Sequence, residues 1–218
     1  MAGGNRTSGY YRDEFGRLAR FYDGGLRAAF RLIGGERTFR EAIAEAADIQ
    51  PGHAVLDVNC GTGTLALLLA GRAGPGGRVV GTDLADGMLE VARRKAGSAG
   101  LEFINANAED LPFGDTAFDR VTSSLAVHEM NRRGRENALM EMRRVLADGG
   151  RLVVADLRRP DTTFTRLGMA VVKLAETETL TDMWARGLSR EMESSGFRII
   201  RRQAAGRGLF EILTAEPV

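Results

Sequence analysis

Residues Val55-Leu-Asp-Val-Asn-Cys-Gly-Thr-Gly-Thr64 constrain this 218-residue chain more than any other stretch. An apolar, strand-like run ends in an acid at Asp57, a tight turn carries Gly61 and Gly63, and a helical pattern starts at Thr64. Twenty residues past Gly63, a second apolar run, Arg78-Val-Val-Gly-Thr82, ends in another acid, Asp83. Strand, glycine turn, helix and a second acid-tipped strand describe the carboxyl edge of a parallel sheet. That edge is where nucleoside cofactors bind.

Two cofactors compete for the edge. Gly61-Thr-Gly63-Thr-Leu-Ala66 satisfies the dinucleotide fingerprint, with Asp83 placed for ribose hydroxyls, and on that reading the chain is an NAD-dependent oxidoreductase. A pyrophosphate would then sit on the helix N-terminus, where anions are favoured, with Asp57 close by as a second, repelling anion. S-adenosylmethionine carries no phosphate. Its sulfonium and ammonium groups are cations, and acids at Asp57 and Asp83 suit both.

Four blocks in order resemble the class I S-adenosylmethionine-dependent methyltransferases, closest to the ubiquinone/menaquinone C-methyltransferase branch. They are Val55–Thr64; Gly81-Thr-Asp-Leu-Ala-Asp-Gly-Met-Leu-Glu-Val-Ala92; Asn105-Ala-Asn-Ala-Glu-Asp-Leu-Pro-Phe113 with Phe118-Asp119; and Arg143-Arg-Val-Leu-Ala-Asp-Gly-Gly-Arg-Leu-Val-Val154. The resemblance covers roughly Leu18 onward. It implies a doubly wound α/β fold with a seven-stranded Rossmann-like sheet in the order 3-2-1-4-5-7-6, the last strand antiparallel, and helices on both faces. It also implies methyl transfer from S-adenosylmethionine to a small-molecule acceptor. The site residues it implies are Asp57 and Asn59 beside the turn, Gly61, Thr62 and Gly63 against the methionine part, and Asp83 on the ribose. Leu84 and Met88 follow, Asn107, Ala108 and Glu109 stand around the adenine, and Ser124 lies at the end of the fourth strand. Thr62 offers its amide and hydroxyl. The Asn107 carboxamide oxygen accepts from the exocyclic amine, and the absence of a Cβ at Gly61 and Gly63 lets the backbone approach the ligand.

Two positions depart from the family pattern. Asn59 stands where relatives carry glycine; asparagine tolerates left-handed backbone better than most residues, so the turn is expected to survive. Asp148 replaces the usual proline of a Pro-Gly-Gly turn, and aspartate is itself a good turn former.

The rest of the chain reads as alternating strands and helices without internal repeats. Residues 1–9 are expected to be a mobile tail, 10–50 an N-terminal helical cap, and 51–218 one cofactor-binding domain. Helices are expected at 11–22, 24–33, 36–48, 64–73, 86–97, 134–146, 163–177 and 180–195, with Gly206 and Gly208 turning the last two strands. Composition narrows the function. A net charge of +1 exerts no strong pull on nucleic acid. No apolar run nears the ~18 residues of a membrane span, and the first residues hold no apolar signal core. The single cysteine, Cys60, excludes an intrachain disulfide and suits a reducing cytoplasm. A monomer and a homodimer fit equally well.

Methyl transfer from a sulfonium is an in-line displacement that asks mainly for alignment and exclusion of water. A general base is needed only where the acceptor must lose a proton. His128 is then the candidate, with Glu129 beside it as a lesser one, and packing against the cofactor is an equal alternative for His128. Arg132, Arg133 and Arg135 read as a solvated basic approach to a helix. No His/Cys or carboxylate cluster has metal-ligand spacing. Two covers are expected over the sheet edge. One is the aromatic N-terminal segment with Tyr10, Tyr11 and Tyr22, and the other is the apolar helix holding Met169. That helix is shorter than the insert of quinone methyltransferases, which counts against a long-tailed quinone. A cofactor-binding protein without turnover is the remaining alternative.

Overall fold

The computed structural model describes residues 19, 22–31, 33–97, 101–173 and 178–218. Strand β1 (Ala54–Val58) is buried on both faces and pairs in parallel with β2 (Arg78–Asp83) on one side and β4 (Phe118–Ser124) on the other. Its near-continuous apolar sequence is what a central parallel strand covered on both faces requires. β3 (Glu102–Asn105) lies outside β2, and β5 (Leu146–Leu157) lies outside β4. β7 (Phe210–Pro217) runs antiparallel between β5 and β6 (Phe197–Ala205), which completes the expected order β3-β2-β1-β4-β5-β7-β6. The chain winds outward in one direction from β1 to β3 and in the other from β4 onward. The carboxyl ends of β1 and β4 therefore flank the topological switch point, where a crevice opens.

The helices are α1 (22–30), α2 (Glu36–Ala47), α3 (Thr64–Ala73), α4 (Asp86–Ala96), α5 (Arg132–Val145), α6 (Thr163–Lys173), α7 (Glu178–Arg186) and α8 (Leu188–Ser194). On α2 the buried residues Phe39, Ile43, Ala44 and Ala47 recur at helical spacing and face the sheet. Phe30 of α1 and Phe39 of α2 meet Phe210 of β7, with ring centroids 5.3, 5.1 and 4.8 Å apart, and this cluster seats the N-terminal helices on the core. α3 buries Leu65, Ala66 and Leu69 behind the glycine turn.

Several boundaries differ from the sequence expectation. α1 runs through Gly24 and Gly25, where a break at Asp23 was expected; packing of Phe30 and Tyr22 outweighs the low helical preference of glycine. The single helix expected at 180–195 is two, divided at Gly187, whose φ of 83° ends one helix and starts the next. β5 begins at Leu146 rather than 150, pairing Leu146 with Phe118 before a register irregularity. Gly206–Gly208 forms the expected turn, with φ of 57°, 55° and 89° at Gly206, Arg207 and Gly208. Tyr10 and Tyr11 of the proposed cover lie outside the described residues.

Candidate cofactor site

The crevice is built around the turn 59–63. Asn59 adopts φ 58°, as its short polar side chain permits, and Gly61 follows at φ 54°. Cys60 N–H donates to Thr82 O at 2.8 Å, and Gly61 N–H donates to Asp83 Oδ2 at 2.8 Å, so the end of β2 holds the turn in place. The other Asp83 oxygen, Oδ1, accepts from Ala85 N–H at 2.9 Å, at the start of α4. Burial pushes the Asp83 carboxyl up, and these backbone donors pull it back. Asp83 is thus both a tie between two turns and an acceptor in the crevice wall.

The crevice wall contains Asn59, Gly61, Thr62, Asp83, Leu84, Met88, Asn107, Ala108, Glu109 and Ser124, so most of the implied cofactor residues come together. Two of the implied residues lie elsewhere. Asp57 is not in the wall. It is 1% exposed, and its Oδ1 accepts from Thr122 Oγ1 at 2.7 Å across the β1–β4 pair. Burial raises its pKa to about 7. Gly63 is also outside the wall, and a Cβ there would meet Ala92 Cβ and Phe103 Cζ at 2.9 Å. The missing Cβ there makes room for the close packing of α4 and β3. At Gly61 a Cβ would project into open space within the crevice, the space a bound molecule would take.

Thr62 lines the crevice, yet its hydroxyl is committed elsewhere. It donates to Asp23 Oδ1 at 2.5 Å and accepts from Lys95 Nζ at 3.2 Å, while Lys95 also reaches Asp23 Oδ2 at 2.9 Å and Thr64 Oγ1 at 2.5 Å. The hydroxyl therefore ties α1 and α4 to the turn, which leaves the backbone of Thr62 to face a ligand. At the other end, the Asn107 carboxamide oxygen accepts from Glu109 N–H at 3.1 Å, turning its own loop. Glu109 presents a carboxylate in the wall there, steadied by Asn137 Nδ2 at 3.0 Å.

His128 and Glu129 separate in role. His128 sits in the 3-10 turn Val127–Glu129 and is absent from the crevice wall, whereas Glu129 lines it. The ring Nδ1 lies 2.6 Å from Asp156 Oδ1, and Nε2 lies 3.2 Å from Glu129 Oε1. Burial alone would lower the imidazole pKa. The Asp156 carboxylate, itself fully buried, overrides burial together with Glu129 and raises the pKa to about 10. An imidazolium at neutral pH has no lone pair to accept a proton, so His128 does not fit the part of general base. It is instead a positive clamp that holds Glu129 at the crevice.

Tyr22 of the expected cover does line the crevice, packing with Ala85 and Met88. Met169 does not: it is 1% exposed and belongs to the main core. On α6 it is Phe164 and Leu167 that face outward. Arg135 was expected among solvated cations and is fully buried, bonded to Glu191 through Nε (2.8 Å) and Nη2 (3.0 Å), to Asp182 Oδ2 (2.6 Å) and to Met130 O (2.7 Å). Sequence reasoning also missed Arg40, Leu125, Ala126, Met130, Asn131 and Gly134 in the wall. Of these, Asn131 carried a legible signal: an asparagine three residues before Gly134 at a helix start, whose Oδ1 caps Gly134 N–H at 2.9 Å. Leu125 at φ 55° is an unusual backbone for leucine and lies directly at the crevice.

These residues fit S-adenosylmethionine on the structure's own terms. The open space at Gly61 accommodates a ligand, the Asn59 Nδ2 is buried without a partner, and the wall holds three carboxylates, Asp83, Glu109 and Glu129. Three acids would repel the two phosphates of a dinucleotide. Among the described residues no group of His, Cys, Asp and Glu could hold a metal ion.

Comparison with known proteins agrees with this chemistry. Residues 55–150 match the family described as Methyltransferase domain. A demethylmenaquinone methyltransferase of Symbiobacterium thermophilum is 39% identical over 166 residues, covering 74% of this chain and 64% of the relative. An uncharacterized methyltransferase of Synechocystis sp., sll0829, is 33% identical over 190 residues, covering 87% of each. In fold, a SAM-dependent methyltransferase from Aquifex aeolicus superposes with a TM-score of 0.65 at 21% identity, over 82% of this chain and 89% of that one. The chain belongs to the class I S-adenosylmethionine-dependent methyltransferases, near the ubiquinone/menaquinone C-methyltransferase branch. It spans 64% of the length of the Symbiobacterium relative. No helix among the described residues is long and apolar enough to cross a membrane.

Proposed function

We propose that this protein transfers a methyl group from S-adenosylmethionine to a small, largely apolar acceptor, by alignment rather than by strong base catalysis. The observation that carries the reading is the wall itself. Gly61 and Thr62 backbone, the Asp83 carboxylate and the Asn107–Glu109 loop line one crevice at the switch point, with an acidic wall suited to a cationic ligand. Bound there, the cofactor supplies a methyl group made electrophilic by its sulfonium. Asp83 accepts from the ribose hydroxyls, Glu109 and the Ala108 amide face the adenine, and Glu129 adds a negative field near the sulfonium.

Leu125, Ala126, Met130 and Tyr22 also line the crevice, a mostly apolar set suited to a flat or compact acceptor. The Symbiobacterium relative is named for demethylmenaquinone, and a quinone-like ring matches such walls. Since His128 already carries its proton, an acceptor whose nucleophilic atom is activated beforehand suits this site better than one that must be deprotonated by imidazole.

Calorimetric titration with S-adenosylhomocysteine, with NAD as the control, tests the reading. Micromolar binding of the first, no signal from the second, and a loss of about 10- to 100-fold in Asp83→Ala are expected, the size of charge-assisted hydrogen bonds. Absence of S-adenosylhomocysteine binding in the wild type would overturn it.

A further inference from the structure

The crevice wall contains one cation among the described residues, Arg40. It comes from α2, outside the glycine turn and outside every block that carries the family resemblance. Its side chain is 10% exposed, and Nε donates to Glu36 Oε1 at 2.8 Å. Among the described residues its two Nη groups donate no hydrogen bond. Neither Nη is among the fully buried atoms that lack a partner, so this edge of the fork, shaped for a carboxylate, is open to the crevice that Arg40 lines.

Its place in the crevice is well defined. α2 packs against α3, β4, β5 and β7, on the side of the sheet away from β3 and from the Asn107–Glu109 loop. Arg40 acts electrostatically on Asp57, in β1, and on Tyr22, so it stands near the end of β1 that leads into the Asn59–Thr62 turn. The orphaned Asn59 Nδ2 is at that same turn. S-adenosylmethionine carries one anionic group, its α-carboxylate, and two cationic ones. The wall mirrors that count with one cation and three acids.

We propose that Arg40 binds the α-carboxylate of the cofactor through its Nη edge, with Glu36 holding the guanidinium in orientation from Nε and Asn59 Nδ2 donating beside it. The assignment rests on S-adenosylmethionine being the cofactor. It makes α2, held to the core by Phe39, part of the cofactor site, and the buried Glu36 a positioning residue.

The test compares two probes on one variant: S-adenosylhomocysteine, and its decarboxylated analogue, which keeps the adenosine, the thioether and the amine. Wild-type protein should bind the analogue about 10- to 100-fold more weakly, the range for a charge-assisted pair. Arg40→Met should weaken S-adenosylhomocysteine by a similar factor while leaving the analogue unchanged. Arg40→Lys, which keeps charge and loses the fork, should fall between, and it serves as the test if Arg40→Met does not fold. Equal weakening of both probes would make Arg40 a structural cation and overturn the assignment. Unchanged S-adenosylhomocysteine binding would also overturn it and leave the guanidinium for an anionic group on the acceptor. Failure of the wild type to bind S-adenosylhomocysteine would instead mark failure of the cofactor reading.

Discussion

His128 shows how a single residue changes role between sequence and structure. Beside a fourth strand in a methyltransferase, a histidine suggests a proton acceptor. Asp156 lies 28 positions away in sequence, and its buried carboxylate favours the protonated form of that histidine. The linkage has a sign. A group whose folded pKa lies above its unfolded value stabilises fully below the unfolded value, and that stabilisation is lost as pH rises through the folded one. For His128 the window runs from about 6.5 to about 10. Asp57, raised from 3.8 to about 7, adds a loss at lower pH. Thermal midpoints should therefore fall as pH rises from 6 to 10, and His128→Gln should flatten the slope above pH 6.5. A wild-type slope that His128→Gln leaves unaltered would remove the imidazolium from the account. Asp83 and Asn59 were legible because their chemistry is local, an acid at a strand end and a turn needing φ 58°. The His128 clamp was not, because Asp156 comes from another element, and Arg40 was not, because α2 lies outside the motif blocks and meets the crevice only in the fold.

At the scale of elements, Arg135 is the joint between the crevice and the C-terminal helices. It sits on α5, is fully buried, and donates to Met130 O in the wall, Asp182 on α7 and Glu191 on α8. Arg135→Met leaves Glu191, 7% exposed, as a buried charge without its partner, and should cost about 3–5 kcal/mol in urea unfolding. The double variant Arg135→Met/Glu191→Leu removes both charges and should recover most of that loss. If the double variant is no better than the single one, packing rather than charge sets the cost. The sequence showed the helical period of 134–146 but not this joint: an arginine among arginines looks solvated until its partner, 56 positions on, is folded against it. The division of α7 from α8 at Gly187 was likewise hidden, since glycine within a helical pattern does not announce a positive φ.

Among the described residues, two of the contacts that join the N-terminal helices to the domain differ in kind. One is the Phe30–Phe39–Phe210 cluster. The other is polar, with Asp23 of α1, Thr62 of the turn and Lys95 of α4 in mutual hydrogen bonds. Because the polar joint touches the cofactor turn and the aromatic one does not, the two should respond differently. Lys95→Met should weaken S-adenosylhomocysteine binding by no more than about fivefold, as suits a partly exposed pair, and should speed proteolytic cleavage within α1 more than elsewhere. Uniform cleavage along the chain would show that the polar joint does not hold α1. The order of the sheet was legible because the four motif blocks resemble a family whose sheet has that order, and the fold follows it. β7 is the exception to simple progression, since it follows β6 in the chain and yet lies inside it. That inversion has a consequence during synthesis. β5 leaves the ribosome about fifty residues before the strand that will cover its edge, a wait of several seconds at about 5–20 residues per second. Through that interval the apolar run Leu152–Leu157 has one bare flank, and β6, arriving first, cannot cover it. Yield in the cell is then a race between completion of the hairpin and capture of that flank by another nascent chain.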